Sequence, residues 1–100
     1  MSRNEPTPPD PSAEEAQTPP RVLVVDDHAG VQEVIQTFLE NSGFDVVLTG
    51  TGEGALASAG VGVFDAIVLD LILPDMTGHE VVGRLRESGV TTPVLMLTGH

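Results

Sequence analysis

Short runs of consecutive apolar residues alternate along this chain with stretches in which apolar residues recur at helical spacing. Four of these runs predict β-strands, and they cover Val22–Val25, Phe44–Leu48, Phe64–Asp70 and Val94–Leu97. The third run is unbroken from Ala66 to Leu69, as expected for a strand that is buried on both faces of a parallel sheet. We therefore take this third strand as the centre of the fold.

Three helices are predicted between the strands. The first is amphipathic, with an apolar stripe made by Val31, Val34, Ile35, Phe38 and Leu39. Gly43 follows this helix and suits the left-handed conformation that often ends one. The second helix, over 52–59, is weaker because it contains two glycines that each cost about 1 kcal/mol relative to alanine. The third begins with a capping box, in which Thr77 is the N-cap and Glu80 reaches back, and it ends at Gly89.

Strand and helix signals alternate in the order β-α-β-α-β-α-β with short connections. This order predicts an α/β fold in which a doubly wound parallel sheet, with strand order 2-1-3-4, has helices on both faces. We expect the folded domain to cover residues 21–100. Residues 1–20 hold six of the eight prolines and few apolar residues, so we expect a disordered, acidic, proline-rich tail there.

The charge balance is strongly acidic, with 4 basic residues against 15 Asp and Glu and a formal net charge of −11. Direct nucleic-acid binding needs basic patches, so the charge argues against it for this segment. The absence of cysteine excludes a disulfide scaffold and a thiolate metal site. No apolar run approaches the length of a membrane span, and the N-terminus lacks the apolar core of a signal peptide. We expect a cytoplasmic location.

Oxygen-bearing side chains follow three of the predicted strands, at the edge where parallel sheets place their ligands. Asp26 and Asp27 come after the first strand, Asp70 ends the third, and Thr98 follows the fourth. Carboxylates about 4 Å apart repel by about 4 kcal/mol per pair at an effective dielectric constant near 20, so such a cluster indicates a cation or shared protons. With oxygen ligands alone and no His or Cys in reach, we expect Mg²⁺. Beside Mg²⁺, Asp70 could act as a nucleophile toward a phosphoryl group.

Three separate motifs then resemble one family. Residues 24–28 read Val-Val-Asp-Asp-His, residues 73–80 after Asp70 read Leu-Pro-Asp-Met-Thr-Gly-His-Glu, and residues 93–100 read Pro-Val-Leu-Met-Leu-Thr-Gly-His. Together they resemble the receiver domain of bacterial two-component response regulators over residues 21–100. The resemblance implies a flavodoxin-like (CheY-like) sheet and a role in phosphorelay signal transduction.

The resemblance also implies roles for individual residues. Asp70 would be the phosphoacceptor, and Thr98 the switch hydroxyl. Asp26, Asp27 and Asp70, with the backbone carbonyl of Ile72, would hold Mg²⁺. A histidine kinase or phosphotransfer protein would donate the phosphoryl group, and the surface would then rearrange. Such a domain assists its own phosphoryl transfer and dephosphorylation and is not a multiple-turnover enzyme.

The sequence departs from the family pattern after the fourth strand. Receiver domains continue with a fourth helix, a fifth strand that carries a phosphoryl-contacting lysine, and a fifth helix, whereas this sequence contains no lysine. The edge at Val94–Leu97 would then be open, which is a hazard for association. We expect the chain to be a fragment, to self-associate, or to pair with something that completes its sheet.

Other interpretations of these residues stay open. The main alternative is a pseudo-receiver, a protein-interaction module that signals without phosphate. An Mg²⁺-dependent phosphohydrolase is disfavoured because those enzymes usually carry Asp-x-Asp after one strand. A lone Asp after a strand is more often a helix N-cap. We expect Asp75 to be a turn residue, and His28, His79 and His100 to be solvated without a role in the site.

Overall fold

Four strands and three helices alternate in the computed structural model, which describes residues 18–97. The elements are β1 (Arg21–Val25), α1 (Ala29–Asn41), β2 (Asp45–Thr49), α2 (Gly52–Val61), β3 (Ala66–Asp70), α3 (Gly78–Glu87) and β4 (Val94–Leu97). Each predicted element is present, with boundaries that differ by one or two residues. Most of the predicted tail, residues 1–17, and the end of the chain from Thr98 lie outside the described residues. Among residues 18–97, no helix has the length and apolar character needed to cross a membrane.

The sheet is parallel, and its strand order is β2-β1-β3-β4, as predicted. The two central strands, β1 and β3, are direct neighbours, and Val25 pairs with Leu69. Asp26 follows Val25 and Asp70 follows Leu69 along the chain, so the register places the two aspartates level with one another. This is the point where the chain connections leave the sheet in opposite directions, the usual ligand position in doubly wound sheets.

The main core lies between the sheet and the layer formed by α2 and α3. Alternate residues of the central strands point into it, as the period of two in a strand requires. The buried core residues are Leu23, Val25, Ala55, Ala59, Phe64, Ile67, Leu69, Leu73, Val81 and Leu85. Each fully buried large aliphatic side chain contributes about 1.5–3 kcal/mol. This core fixes the backbones of the strands whose ends carry the acidic residues.

Helix α1 covers only part of the opposite face of the sheet. It forms where the apolar stripe predicted it, but Val34 is 70% and Phe38 is 68% exposed, and none of its residues is buried. Among the described elements, α1 packs on β1 and β2, while Leu95 on β4 is 63% exposed. An apolar groove therefore remains between α1 and β4 within residues 18–97.

The helix ends follow the predicted local chemistry, with one exception. Gly43 and Gly89 have positive φ values of 95° and 89°, the left-handed conformation that favours glycine. The Thr77 hydroxyl accepts a hydrogen bond from the Glu80 backbone N–H at 3.2 Å. The Glu80 carboxylate, however, pairs with Arg84 Nη2 at 2.8 Å instead of reaching back. An oppositely charged partner one turn further along the helix competes with the capping position.

Candidate metal centre

Two buried carboxylates stand side by side at the carboxyl ends of the central strands. Asp26 is 0% and Asp70 is 1% exposed, although charged side chains are rarely buried without a compensating partner. Asp27, the next residue along the chain, is more exposed, at 37% of its side chain. One possible ligand atom from each of Asp26, Asp27, His28 and Asp70 lies within 4.8 Å of all the others. The structure therefore brings together all three carboxylates that the sequence singled out.

Asp26 has one oxygen with partners and one without. Its Oδ1 accepts a hydrogen bond from the His28 backbone N–H at 2.8 Å. Its Oδ2 is buried and has no hydrogen-bond partner. A buried carboxylate oxygen without a partner carries a large desolvation cost, and a bound cation is one of the few groups that can offset this cost. The residues present therefore fit a divalent cation with oxygen ligands.

His28 lies inside the cluster, so the expectation that it would only be solvated is wrong. Its Nδ1 lies 3.0 Å from Asp26 Oδ1, 3.3 Å from Asp27 Oδ1 and 4.0 Å from Asp70 Oδ2. His28 is the N-cap residue of α1 and has an extended backbone, with φ −94° and ψ 110°. Its position directly after the two aspartates is the signal that could have identified it. His79 is exposed on α3, and His100 lies outside the described residues.

Of the two remaining predicted site residues, Ile72 and Thr98, the structure describes Ile72. The backbone nitrogen of Ile72 lies 3.5 Å from Asp70 Oδ1, so this part of the loop is next to the carboxylate. The role of the Ile72 carbonyl oxygen as a metal ligand stays a prediction. Thr98 lies outside the described residues, but Leu97 before it pairs with Asp70 in the sheet register. The last described residue is therefore level with Asp70, and the role of Thr98 stays a prediction.

Asp75 does more than form a turn. Its carboxylate accepts hydrogen bonds from the backbone N–H groups of Gly52 at 2.8 Å and Glu53 at 2.9 Å, at the start of α2. These two bonds favour the charged form and hold the pKa of Asp75 below its ordinary value of 3.8. The loop after Asp70 is thus tied to a helix that lies more than 20 residues earlier in the chain. No local pattern in the sequence marks this contact.

Helix α3 begins in direct contact with the end of β3. A Cβ atom on Gly78 would lie 2.7 Å from the backbone oxygen of Asp70 and 3.2 Å from Leu71 Cα. The Gly78 N–H also donates to the carbonyl of Leu71 at 2.6 Å. Only glycine allows this approach without displacing the strand end that presents Asp70.

A family comparison agrees with this arrangement of strand ends and acidic residues. The family model described as the response regulator receiver domain matches residues 22–100. The chain belongs to this receiver domain family. Receiver domains act in phosphorelay signalling within two-component systems, which confirms the resemblance and the class of function inferred from the motifs.

Individual relatives agree with the family match. The transcriptional regulatory protein CiaR of Streptococcus pneumoniae is 42% identical over 78 residues, which is 78% of this chain and 34% of CiaR. The chemotaxis response regulator CheY4 of Vibrio cholerae has a TM-score of 0.79 and 36% identity over 83% of this chain and 71% of that one. The response regulator TrrA of Thermotoga maritima, solved in complex with Mg²⁺-BeF, has a TM-score of 0.76 and 31% identity, covering 81% and 70% of the two chains. The receiver chain thus spans about one third of the length of the curated relatives.

Proposed function

We propose that this receiver domain accepts a phosphoryl group on Asp70 and changes its surface conformation in response. The observation that carries the proposal is the pair of buried, neighbouring carboxylates, Asp26 and Asp70, with an unpartnered oxygen on Asp26. In the transfer, an oxygen of the Asp70 carboxylate attacks phosphorus and forms a P–O bond. The P–N bond of a phosphohistidine donor breaks, and its electron pair stays on the histidine nitrogen.

The acidic cluster supplies the ligand set for Mg²⁺. The residues that would hold the ion are Asp26, Asp27 and Asp70, with the Ile72 carbonyl as a fourth ligand. When bound, Mg²⁺ neutralises the negative charge of the carboxylates and of the incoming phosphoryl oxygens. The complex of TrrA with Mg²⁺-BeF supports this choice of ion. Thr98 would donate its hydroxyl to a phosphoryl oxygen and act as the switch residue.

The phosphoryl donor would be a histidine kinase or a phosphotransfer protein, as for other receiver domains of two-component systems. The chain takes part in one transfer per phosphorylation and is therefore a signalling component rather than a multiple-turnover enzyme. We also propose that residues 21–100 form the phosphorylated unit, separate from the tail over 1–20. Within residues 18–97, β4 is an edge strand of the sheet, and this edge is the surface through which self-association or completion of the sheet would occur.

Labelling by a small phosphodonor tests the proposal without knowledge of the kinase. The protein is incubated with acetyl phosphate and Mg²⁺, and its intact mass is then measured. We expect an acid-labile gain of one phosphoryl group that peptide mapping assigns to Asp70. Asp70→Asn should remove the gain, while Asp65→Asn should keep it, because Asp65 is exposed and lies just before β3, at the end opposite Asp70. A folded wild-type protein that gains no mass would refute the proposal and favour a protein-interaction module that works without phosphate.

A further inference from the structure

A histidine ring nitrogen lies within the acidic cluster, whereas the sequence predicted only oxygen ligands there. The Nδ1 atom of His28 lies closer to Asp26 Oδ1 and Asp27 Oδ1, at 3.0 Å and 3.3 Å, than to Asp70 Oδ2, at 4.0 Å. The His28 backbone N–H also donates to Asp26 Oδ1. Both the main chain and the ring of His28 are therefore held against the same carboxylate.

These spacings match those between ligands of one six-coordinate ion. Metal–ligand bonds of about 2.1 Å place adjacent octahedral ligands about 3.0 Å apart and opposite ligands about 4.2 Å apart. Without an ion the 3.0 Å contact is a hydrogen bond between the ring and Asp26. Around an ion, the distances of 3.0 Å and 3.3 Å would correspond to adjacent positions, and 4.0 Å to nearly opposite ones. A second observation also indicates a ligand at this place, because Asp26 is fully buried and its Oδ2 has no hydrogen-bond partner. The imidazole therefore lies where a metal ligand would lie.

We propose that His28 is a metal ligand of this receiver domain and makes its site selective for divalent transition-metal ions over Mg²⁺. Mg²⁺ prefers oxygen ligands, whereas imidazole favours ions such as Ni²⁺ and Zn²⁺. Nδ1 binds the ion through its lone pair, and the ring then carries its proton on Nε2. The inference deepens the proposed function, since it rests on the same carboxylates forming a cation site.

Calorimetric titration with Ni²⁺ and with Mg²⁺ at one fixed pH tests the role of His28. His28→Ala should weaken Ni²⁺ binding by about 10-fold or more, because even the loss of partners outside the ligand shell costs about 10- to 100-fold in affinity. Mg²⁺ affinity should change by less than about 3-fold, since imidazole is a poor partner for this ion. His28→Gln is the second variant, which keeps a polar side chain at the start of α1. A large excess of Mg²⁺ should lower the apparent affinity of the wild-type protein for Ni²⁺, because the two ions compete for one site.

Matched controls come from the other two histidines of the chain. His79→Ala and His100→Ala should bind Ni²⁺ as the wild type does. The proposal is overturned if His28→Ala keeps its Ni²⁺ affinity, if the loss follows one of the control variants instead, or if the only effect is tighter Mg²⁺ binding. The phosphoryl labelling test is run on the same material with Mg²⁺. If the wild type is not labelled but its Ni²⁺ binding depends on His28, the proposed function alone is refuted. If the wild type is labelled but its Ni²⁺ binding does not depend on His28, this inference alone is refuted.

Discussion

Neutralising one buried carboxylate should stabilise the metal-free protein. Asp26 and Asp70 offer ligand atoms within 4.8 Å of each other, and two unit charges at that distance repel by about 3.5 kcal/mol at an effective dielectric constant near 20. Asp26→Asn removes this repulsion but weakens the charge-assisted hydrogen bond from the His28 backbone N–H, at a cost of about 1 kcal/mol. We therefore expect the free energy of unfolding without metal to rise by about 2 kcal/mol.

Mg²⁺ should reverse the order of the two proteins. A ligand that binds only the folded state adds about 2.7 kcal/mol of stability at 100 times its dissociation constant. The wild type should gain this stabilisation, whereas Asp26→Asn, which has lost one carboxylate ligand, should gain little. Urea denaturation with and without Mg²⁺ measures both effects. Far-UV circular dichroism is the suitable signal because the chain has no Trp or Tyr.

A variant outside the cluster controls for a general effect of reducing the negative charge. Glu33→Gln changes the net charge by the same amount at an exposed position of α1, and it should shift stability by less than about 0.5 kcal/mol. If Asp26→Asn is no more stable than the wild type without metal and both proteins respond equally to Mg²⁺, the carboxylates do not form a repelling cluster that a cation relieves. Our account of the site would then be wrong.

Two further predictions concern the loop after Asp70. Because its folded pKa is lowered, the Asp75 carboxylate stabilises the fold above its ordinary pKa of 3.8 and loses this contribution as the pH falls below that value. Asp75→Asn should therefore be less stable than wild type at pH 7 in urea denaturation, and the difference should shrink below about pH 4; a difference that is independent of pH would contradict the capping role. Gly78→Ala should destabilise by about 1–3 kcal/mol, because its Cβ meets the backbone of β3. Gly83→Ala in the same helix has nothing within 4 Å and should stabilise by about 1 kcal/mol in the same assay; equal effects of the two changes would refute the close approach at Gly78.

Local patterns were sufficient to predict the fold. Unbroken apolar runs identified the strands, and the alternation of strands and helices indicated a doubly wound parallel sheet, for which 2-1-3-4 is a common strand order. The same reasoning brought Asp26 and Asp70 to one edge, because both follow buried strands that are neighbours in such a sheet. Glycines at the ends of helices were predictable for the same reason, since positive φ has a strong residue preference.

The parts that sequence reasoning missed depend on contacts between distant or unpatterned residues. Asp75 binds the start of α2 across more than 20 residues, and no local motif encodes such a contact. His28 was treated as solvated because a lone histidine on a loop has no preferred partner, although its ring is held by the Asp26 carboxylate. The exposure of Phe38 was missed because periodicity identifies an apolar stripe without identifying which element covers it.

Hydrogen bonds of the loop that follows Asp70 restrict how a structural change can spread from this residue. Backbone bonds from Leu73 to Met76 and from Gly78 to Leu71 close the loop on itself, and the Asp75 carboxylate anchors it to the start of α2. A segment restrained at three points behaves as part of the rigid scaffold rather than as a hinge. Leu97, which pairs with Asp70 in the sheet, also accepts a hydrogen bond from the Leu71 backbone N–H at 3.2 Å. A structural change at Asp70 would therefore reach the start of α2 and the end of β4 together, through this one loop.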